Sequence, residues 1–324
     1  MKSSFNIKTQ KVQAADTLEA HLIKAEEAIA KKKKPWREWL AGYLMIFPNF
    51  LGFLVFMLIP IVATLVIGCT NWDLITPPKW VGALNYQILF RDPIFWISMK
   101  KTILFTLVNV PVQSFLALLV AILLNRKLRA LNLFRTLFVA PWVCMAVAVG
   151  LTWFWMYNKE LGYINFLLGI FGIPRVGWLT TQETTLWSVL VVNVWEYLGW
   201  HVILLLAALQ IVPQELHEAA LVDGAGPWTR FWRITMPSIS PIFFYDLVVN
   251  MITTLQIFDL PYSMTNGGPG NAARVFNLYL YQKGFQFLQM GQASAMGVIL
   301  FGFIILCTFL VFKIIGSRVN YDIS

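Results

Sequence analysis

The sequence predicts an all-α, polytopic membrane protein. Of its 324 residues, 58% are hydrophobic and 13% are charged, whereas a soluble domain carries about 25% charged residues. The mean hydropathy is +0.66. Six apolar runs are each long enough to cross a bilayer as a helix, which takes about 20 residues. The 14 tryptophans and 25 phenylalanines are typical of a chain with aromatic belts at the membrane interfaces.

The six predicted membrane helices lie at about 41–69, 102–124, 134–157, 185–209, 241–262 and 291–314. If the N-terminus is inside, 17 of the 25 lysines and arginines lie on the inner side. An excess of positive charge marks the cytoplasmic side of a membrane protein, so both termini are predicted to be cytoplasmic. The net charge of +9 is explained by this sidedness and does not indicate nucleic-acid binding.

The spans divide the chain into three regions. Residues 1–40 form a basic N-terminal tail, 41–316 a six-helix transmembrane domain with a cytoplasmic loop at about 211–240, and 317–324 a C-terminal tail. No cleavable signal is expected, because the first 35 residues lack an apolar core. The N-terminal tail has the pattern of an amphipathic helix that ends in four lysines. Two interpretations stay open for it: contact with anionic lipid, or contact with a partner subunit.

Disulfides, metal sites, catalytic sites and nucleotide-binding sites are not expected in this chain. The cysteines Cys69, Cys144 and Cys307 lie in or beside apolar spans without C-x-x-C spacing, so packing is favoured over disulfide or metal roles. The three histidines form no H-E-x-x-H site, which disfavours an intramembrane enzyme, and no catalytic residue is predicted. No G-x-x-x-x-G-K-[ST] run occurs, so this chain does not itself bind the phosphates of ATP.

The loop between the fourth and fifth spans has the pattern of two short helices with a tight turn between them. Pro213 suits a helix start, and the helix that follows carries acidic and very small side chains. Gly224-Ala225-Gly226 ends this helix, and Pro227 opens a second one that Pro237 is expected to end. The small residues allow another backbone to approach closely, so the loop is predicted to dock a soluble partner. The residues predicted to contact that partner are Glu215, Glu218, Ala219, Ala220, Asp223, Gly224, Ala225 and Phe231.

This loop resembles the "EAA" loop of binding-protein-dependent ABC importer permeases. The resemblance is carried by Glu218-Ala219-Ala220, by Asp223-Gly224-Ala225, and by Phe231, Ile234 and Pro237. Met236 replaces the more usual leucine. The segments Tyr43–Pro48, Thr265–Gly270 and Ser294–Met296 are similar to segments of the larger permease of maltose-type pairs.

The resemblance implies a type I ABC importer permease in the inner membrane of a bacterium. It also implies the partners: a second permease subunit, two ATPase subunits that bind ATP and magnesium, and an extracytoplasmic solute-binding protein. The ATPase would dock on the loop, and the cargo would be an oligosaccharide. The similarity extends to permeases for alginate oligosaccharides, which makes a uronate oligosaccharide one candidate cargo.

Polar residues inside membrane spans are costly and indicate function by default. Spans four and five carry the densest set, at helical spacing that places several of them on one face of each helix. The residues predicted to line a substrate pathway are Asn193, Tyr197, Trp200, Asn250, Thr253, Thr254, Gln256 and Ile257. The resemblance marks six of these, all except Asn250 and Gln256, as sugar-contacting positions. The alternative is that these groups join helices by interhelical hydrogen bonds.

Two further points stay open from the sequence. Glu196 lies outside the pathway, is protonated, or pairs with a cation such as His201. A secondary transporter that couples to protons through Glu196 or Asp246 is the alternative to an ABC permease. The sequence shows no internal repeat, and this alternative leaves the loop at 211–240 unexplained.

Overall fold

The computed structural model describes residues 36–125 and 131–316. Within these ranges the chain is helical, and the one extended pairing is an isolated bridge between Thr70 and Trp80. The predicted helix of the N-terminal tail, most of the basic segment after the second span, and the C-terminal tail at 317–324 lie outside the described residues.

The chain divides into two compact units, the first ending at Ala63 and the second beginning at Thr64. The first unit contains most of helix α1, which runs Trp36–Phe53, passes through a π-helical turn at Leu54–Leu58 and ends as Ile59–Ile67. Its side chains are largely exposed and apolar, as expected of a helix that faces lipid.

The second unit contains the other helices of the described residues, numbered here in chain order. They are α2 (Leu84–Arg91), α3 (Pro93–Leu124), α4 (Leu131–Val143), α5 (Ala146–Met156), α6 (Tyr163–Ile170), α7 (Gln182–Ile211), α8 (Gln214–Val222), α9 (Pro227–Leu255), α10 (Asp259–Thr265), α11 (Phe276–Tyr281) and α12 (Met290–Ile314). Five helices of the described residues are long and apolar enough to cross a membrane, namely α1, α3, α7, α9 and α12. The pair α4 and α5 makes a sixth crossing if it counts as one span.

The third predicted span is therefore wrong as a single straight helix. α4 and α5 meet at an angle of 96°. Met145 has an extended backbone at the break, with φ −66° and ψ 123°. Pro141 lies one turn before it and removes a helical hydrogen bond.

The fifth span is also misplaced in the sequence-based prediction, because Pro237 does not end a helix. α9 begins at Pro227, where the prediction places the second loop helix, and runs without a break to Leu255. A π-helical turn at Phe231–Thr235 directly precedes Met236 and Pro237. The π turn of α1 precedes Pro60 in the same way. Because proline has no N–H to donate to the preceding turn, a wider turn before it lets the helix continue.

The long helices of the second unit form a bundle with two distinct ends. At one end the start of α3 meets the turn that follows α11, through the ion pair between Asp92 and Lys283. We call this the Asp92 end. At the other end Leu124, Leu209 and Phe231 belong to one apolar cluster, and α8 follows directly from α7. We call this the α8 end.

Candidate functional site

The predicted docking segment forms an exposed helix at the α8 end. α8 spans Gln214–Val222, as the sequence predicts for this half of the loop. Most of its residues are exposed, and none is buried. Gly224 follows with φ +77°, a left-handed conformation that favours glycine. The amide of Ala225 closes the helix by donating to the carbonyl of Ala220 at 2.8 Å.

The structure places the eight predicted docking residues in two layers. Glu215, Glu218, Ala219, Asp223 and Gly224 are exposed, and Ala220, Ala225 and Phe231 are half-buried. Phe231 packs against the apolar cluster that contains Leu124 and Leu209. Phe231, at the start of α9, therefore joins the second half of the predicted docking loop to the apolar cluster at the ends of the spanning helices.

A polar cavity of about 180 Å³ lies at the other half of the bundle, towards the Asp92 end. Seven of the eight residues predicted for a substrate pathway line it: Asn193, Tyr197, Asn250, Thr253, Thr254, Gln256 and Ile257. α9 ends at Leu255, and the residues between α9 and α10 continue the lining. They are Gln256, Ile257 and Phe258, followed by Asp259 at the rim. Irregular backbone at membrane depth is tolerated where it is buried in protein or lines a water-filled cavity.

Trp200, the eighth predicted residue, is not among the lining residues. Its ring stacks on Trp142 of α4, with ring centroids 4.9 Å apart. One residue before it, Gly199 lies so close to α4 that an added Cβ would be 2.0 Å from the carbonyl oxygen of Phe138. This part of α7 packs tightly against α4, which turns Trp200 away from the cavity.

A hydrogen-bonded network links the cavity wall to α3. Asn193 donates to Asn109 Oδ1 at 3.0 Å. Asn109 Nδ2 lies 3.0 Å from Thr254 Oγ1 and 2.8 Å from Gln113 Oε1. Thr254 in turn donates to Asn250 at 3.1 Å. Several residues predicted for a pathway therefore both line the cavity and join helices, so the two interpretations of the sequence are not exclusive.

Sequence reasoning missed the residues of α3. Asn109 and Gln113 are both essentially buried, and Gln113 also lines the cavity. Its Nε2 has no hydrogen-bond partner within the described ranges, although a buried amide normally makes its bonds. The signal in the sequence is a pair of amides spaced i, i+4 in an otherwise apolar span, which places them on one helical face.

His201, which lines the cavity, forms a buried pair with Asp246. His201 Nδ1 lies 2.6 Å from Asp246 Oδ1, and Ser114 donates to Asp246 Oδ2 at 3.0 Å. His201 therefore pairs with Asp246 and not with Glu196, one of the options left open by the sequence. Glu196 is 2% exposed, and its Oε2 has no partner among the described residues.

A second cluster of charged residues closes the Asp92 end. Asp92 caps α3 by accepting from the amide of Ile94 at 2.9 Å, and it also accepts from the hydroxyl of Tyr279. Lys283 Nζ lies 3.4 Å from its carboxylate. Partial burial alone would raise the pKa of Asp92, but the bonds from Tyr279 and Ile94 and the charge of Lys283 hold it below its usual range. The same contacts tie α11, which contains Tyr279, and the turn after it, which contains Lys283, to the start of α3.

The described residues offer little to a metal or a disulfide. No group of three or more metal-ligating side chains occurs among them. Cys69, Cys144 and Cys307 are free thiols.

Comparison with known proteins gives one consistent result. A family model described as "binding-protein-dependent transport system inner membrane component" matches residues 28–321. A probable ABC transporter permease, YesP of Bacillus subtilis, is 36% identical over 91% of this chain and 97% of its own length. MalF, a trehalose/maltose transport system permease of Thermococcus litoralis, is 33% identical over 87% of this chain and 96% of its own length.

The fold is shared with a solved structure. A chain in the crystal structure of a bacterial alginate ABC transporter, in complex with an alginate pentasaccharide-bound periplasmic protein, superposes with a TM-score of 0.77. The match covers 89% of this chain and 98% of that chain at 23% identity, so it shows a common fold. The family match over nearly the whole chain, with these full-length relatives, identifies the protein as a membrane permease subunit of the binding-protein-dependent ABC transporter family, and not an enzyme.

Proposed function

We propose that this chain is one of two permease subunits of an oligosaccharide importer, driven by ATPase subunits that dock on α8. Two of its relatives are named for disaccharide transport, the trehalose/maltose permease and a lactose permease of Rhizobium radiobacter. The observation that carries the proposal is the set of amide and hydroxyl side chains that line the polar cavity: Gln113, Asn193, Asn250, Thr253, Thr254 and Gln256. Amides and hydroxyls both donate and accept hydrogen bonds, which suits the hydroxyl groups of a neutral sugar.

The cavity is smaller than a complete ligand site. Its volume of about 180 Å³ is below the range of about 300–1,000 Å³ that is usual for ligand pockets. We infer that a second permease subunit supplies the opposite wall. An extracytoplasmic binding protein would then deliver the sugar at the Asp92 end, and both termini would be cytoplasmic, as the distribution of lysine and arginine predicts.

The charge of the lining favours a neutral sugar. Asp259 lies at the rim, and no lysine or arginine is among the described residues that line the cavity. A uronate such as alginate carries one negative charge per ring and would need cationic partners. A uronate is therefore the less favoured cargo, unless the second permease supplies the cations.

A secondary transporter is the alternative function. It needs an acid that exchanges protons with water, but Asp246 is held by His201 and Ser114, and Glu196 is buried. Neither acid itself lines the cavity, and Asp246 is linked to it only through His201. This geometry supports transport powered by a partner subunit.

Proteoliposomes that contain the complete transporter and its binding protein test the proposal. We expect ATP-dependent accumulation of radiolabelled maltotriose, which is lost when the ATPase subunit is inactivated. Glu218→Ala is expected to reduce uptake at least about tenfold while the permease still assembles. Glu183→Ala is the matched control, because it removes an equally exposed carboxylate from the first turn of α7 at the opposite end. Uptake that persists without ATPase activity would refute the proposal.

A further inference from the structure

Four aromatic side chains form a continuous group from the cavity to the surface, and the first three contact one another. We call Phe258, Tyr262, Tyr281 and Phe285 the aromatic track. Phe258 lines the cavity, and its ring centroid lies 5.2 Å from that of Tyr262 and 5.1 Å from that of Tyr281. Tyr281 lies 5.4 Å from Phe285, whose side chain is 59% exposed. The group therefore begins at the cavity with Phe258 and ends in solvent with Phe285.

The track is built on two short helical segments that are fixed to each other. Phe258 and Tyr262 are spaced i, i+4, and so are Tyr281 and Phe285, which places each pair on one helical face. Asn277 Nδ2 joins the segments by donating to the carbonyl of Gln256 at 2.6 Å. The rings are thus held in position without a ligand, as a preorganised binding surface requires.

The outer end of the track lies at the Asp92 end of the bundle. Tyr279 and Lys283, on the same turns as Tyr281 and Phe285, contact Asp92 at the start of α3. That contact uses the opposite side of the segment and leaves the track free. The first three rings are only half-buried, and none of the four belongs to the buried apolar clusters of the described residues.

We infer that the aromatic track guides the oligosaccharide between the extracytoplasmic surface and the cavity, an inference that rests on the proposed function. The faces of aromatic rings carry negative charge density and attract the C–H face of a sugar ring. Several weak aromatic contacts between the surface and the cavity hold sugar units without trapping them, since passage requires binding that is favourable but easily released. The track therefore favours a chain of several units over a single sugar.

Substitution of the exposed ring tests the inference. Phe285→Leu retains apolar bulk and removes the aromatic face, and Phe285→Tyr retains the face. In proteoliposomes with the complete transporter and its binding protein, we expect Phe285→Leu to lower kcat/KM for maltotriose uptake about three- to tenfold, the loss of one aromatic contact. Phe285→Tyr is expected to stay within about twofold of the wild type. Tyr281→Leu combined with Phe285→Leu is expected to lower uptake about tenfold or more.

Phe171→Leu is the matched control, since Phe171 is 79% exposed at the end of α6 and lies outside the track. Its uptake should equal that of the wild type. The thermal unfolding temperature of each purified variant serves as the readout of folding. Equal uptake by the wild type and by correctly folded Phe285→Leu and double variants would overturn the track alone. Absence of ATP-dependent maltotriose uptake in the wild type would overturn the proposed function, and the track with it.

Discussion

Asp246 of α9 and His201 of α7 form a hydrogen bond of 2.6 Å between two spanning helices, with both side chains almost fully buried. Ser114 of α3 donates to the same carboxylate, so one acid joins three helices. Breaking such a pair leaves a buried polar group uncompensated.

We expect His201→Ala and Asp246→Ala each to destabilise the permease, and the double variant to lose less than the sum. A coupling energy of about 1–2 kcal/mol is expected, at the upper end of the range for interhelical hydrogen bonds in membranes. Unfolding of the four proteins in mixed detergent micelles gives this energy directly. Strict additivity of the two single losses would show that the pair contributes nothing as a pair.

Gly199 marks the closest approach of α7 and α4. An added Cβ would be 2.0 Å from the carbonyl oxygen of Phe138 and 2.8 Å from the Cα of Val139, and backbone atoms do not move aside readily. Gly199→Ala is therefore expected to lower the free energy of unfolding by about 1–3 kcal/mol or more. Gly302→Ala is the control, because its added Cβ meets nothing within 4 Å. A Gly199→Ala protein as stable as the control would contradict the close packing.

Gly224 controls the turn that follows α8. Its φ of +77° is incompatible with proline, whose φ is near −65°. We expect Gly224→Pro to abolish sugar uptake while ATP hydrolysis by the assembled complex continues, because the docking helix is displaced. Gly226→Ala should transport normally, since Gly226 has φ −69° and open space around it. ATP-driven sugar uptake by Gly224→Pro would contradict a role of this turn in coupling.

The Asp92 cluster gives a pH dependence with a defined sign. The pKa of Asp92 is lowered in the folded protein, so its contribution to stability is present above the unfolded pKa, about 3.9, and is lost as pH falls through the folded pKa. Asp92→Asn keeps a good helix cap but loses the charge. We expect this variant to be less stable than the wild type at pH 7, and the difference to shrink in acid below about pH 4. A difference that is constant from pH 7 to pH 3 would contradict the charge-based explanation.

Much of the architecture is readable from the sequence because its signals are local. The apolar runs give the approximate positions of the spans, and the Pro213 and Gly224 signals delimit α8 within one or two residues. The π turn before Pro237 was not predictable, because it depends on how the helix compensates for the missing N–H. The bend at Met145 was not predictable from hydropathy, since the residues on both sides of it form one continuous apolar run.

The candidate site is only partly readable for a different reason. Helical spacing places Asn193, Tyr197 and Trp200 near one face of α7, but the face turned to the cavity depends on packing against α4. The close contact at Gly199 decides this and leaves Trp200 on Trp142. The role of Gln113 depends on the contact of α3 with the other helices, which no periodicity within one helix can show.

Side-specific labelling of α8 shows whether the permease is driven from the cytoplasm through this helix. Val222 is 89% exposed, and Val222→Cys in a variant without Cys69, Cys144 and Cys307 provides a single reactive thiol at the end of the docking helix. We expect a membrane-impermeant maleimide to label it in inverted vesicles but not in intact spheroplasts, and the bound ATPase subunits to protect it. Labelling from outside intact cells, or equal labelling with and without the ATPase, would contradict a permease that is driven through α8.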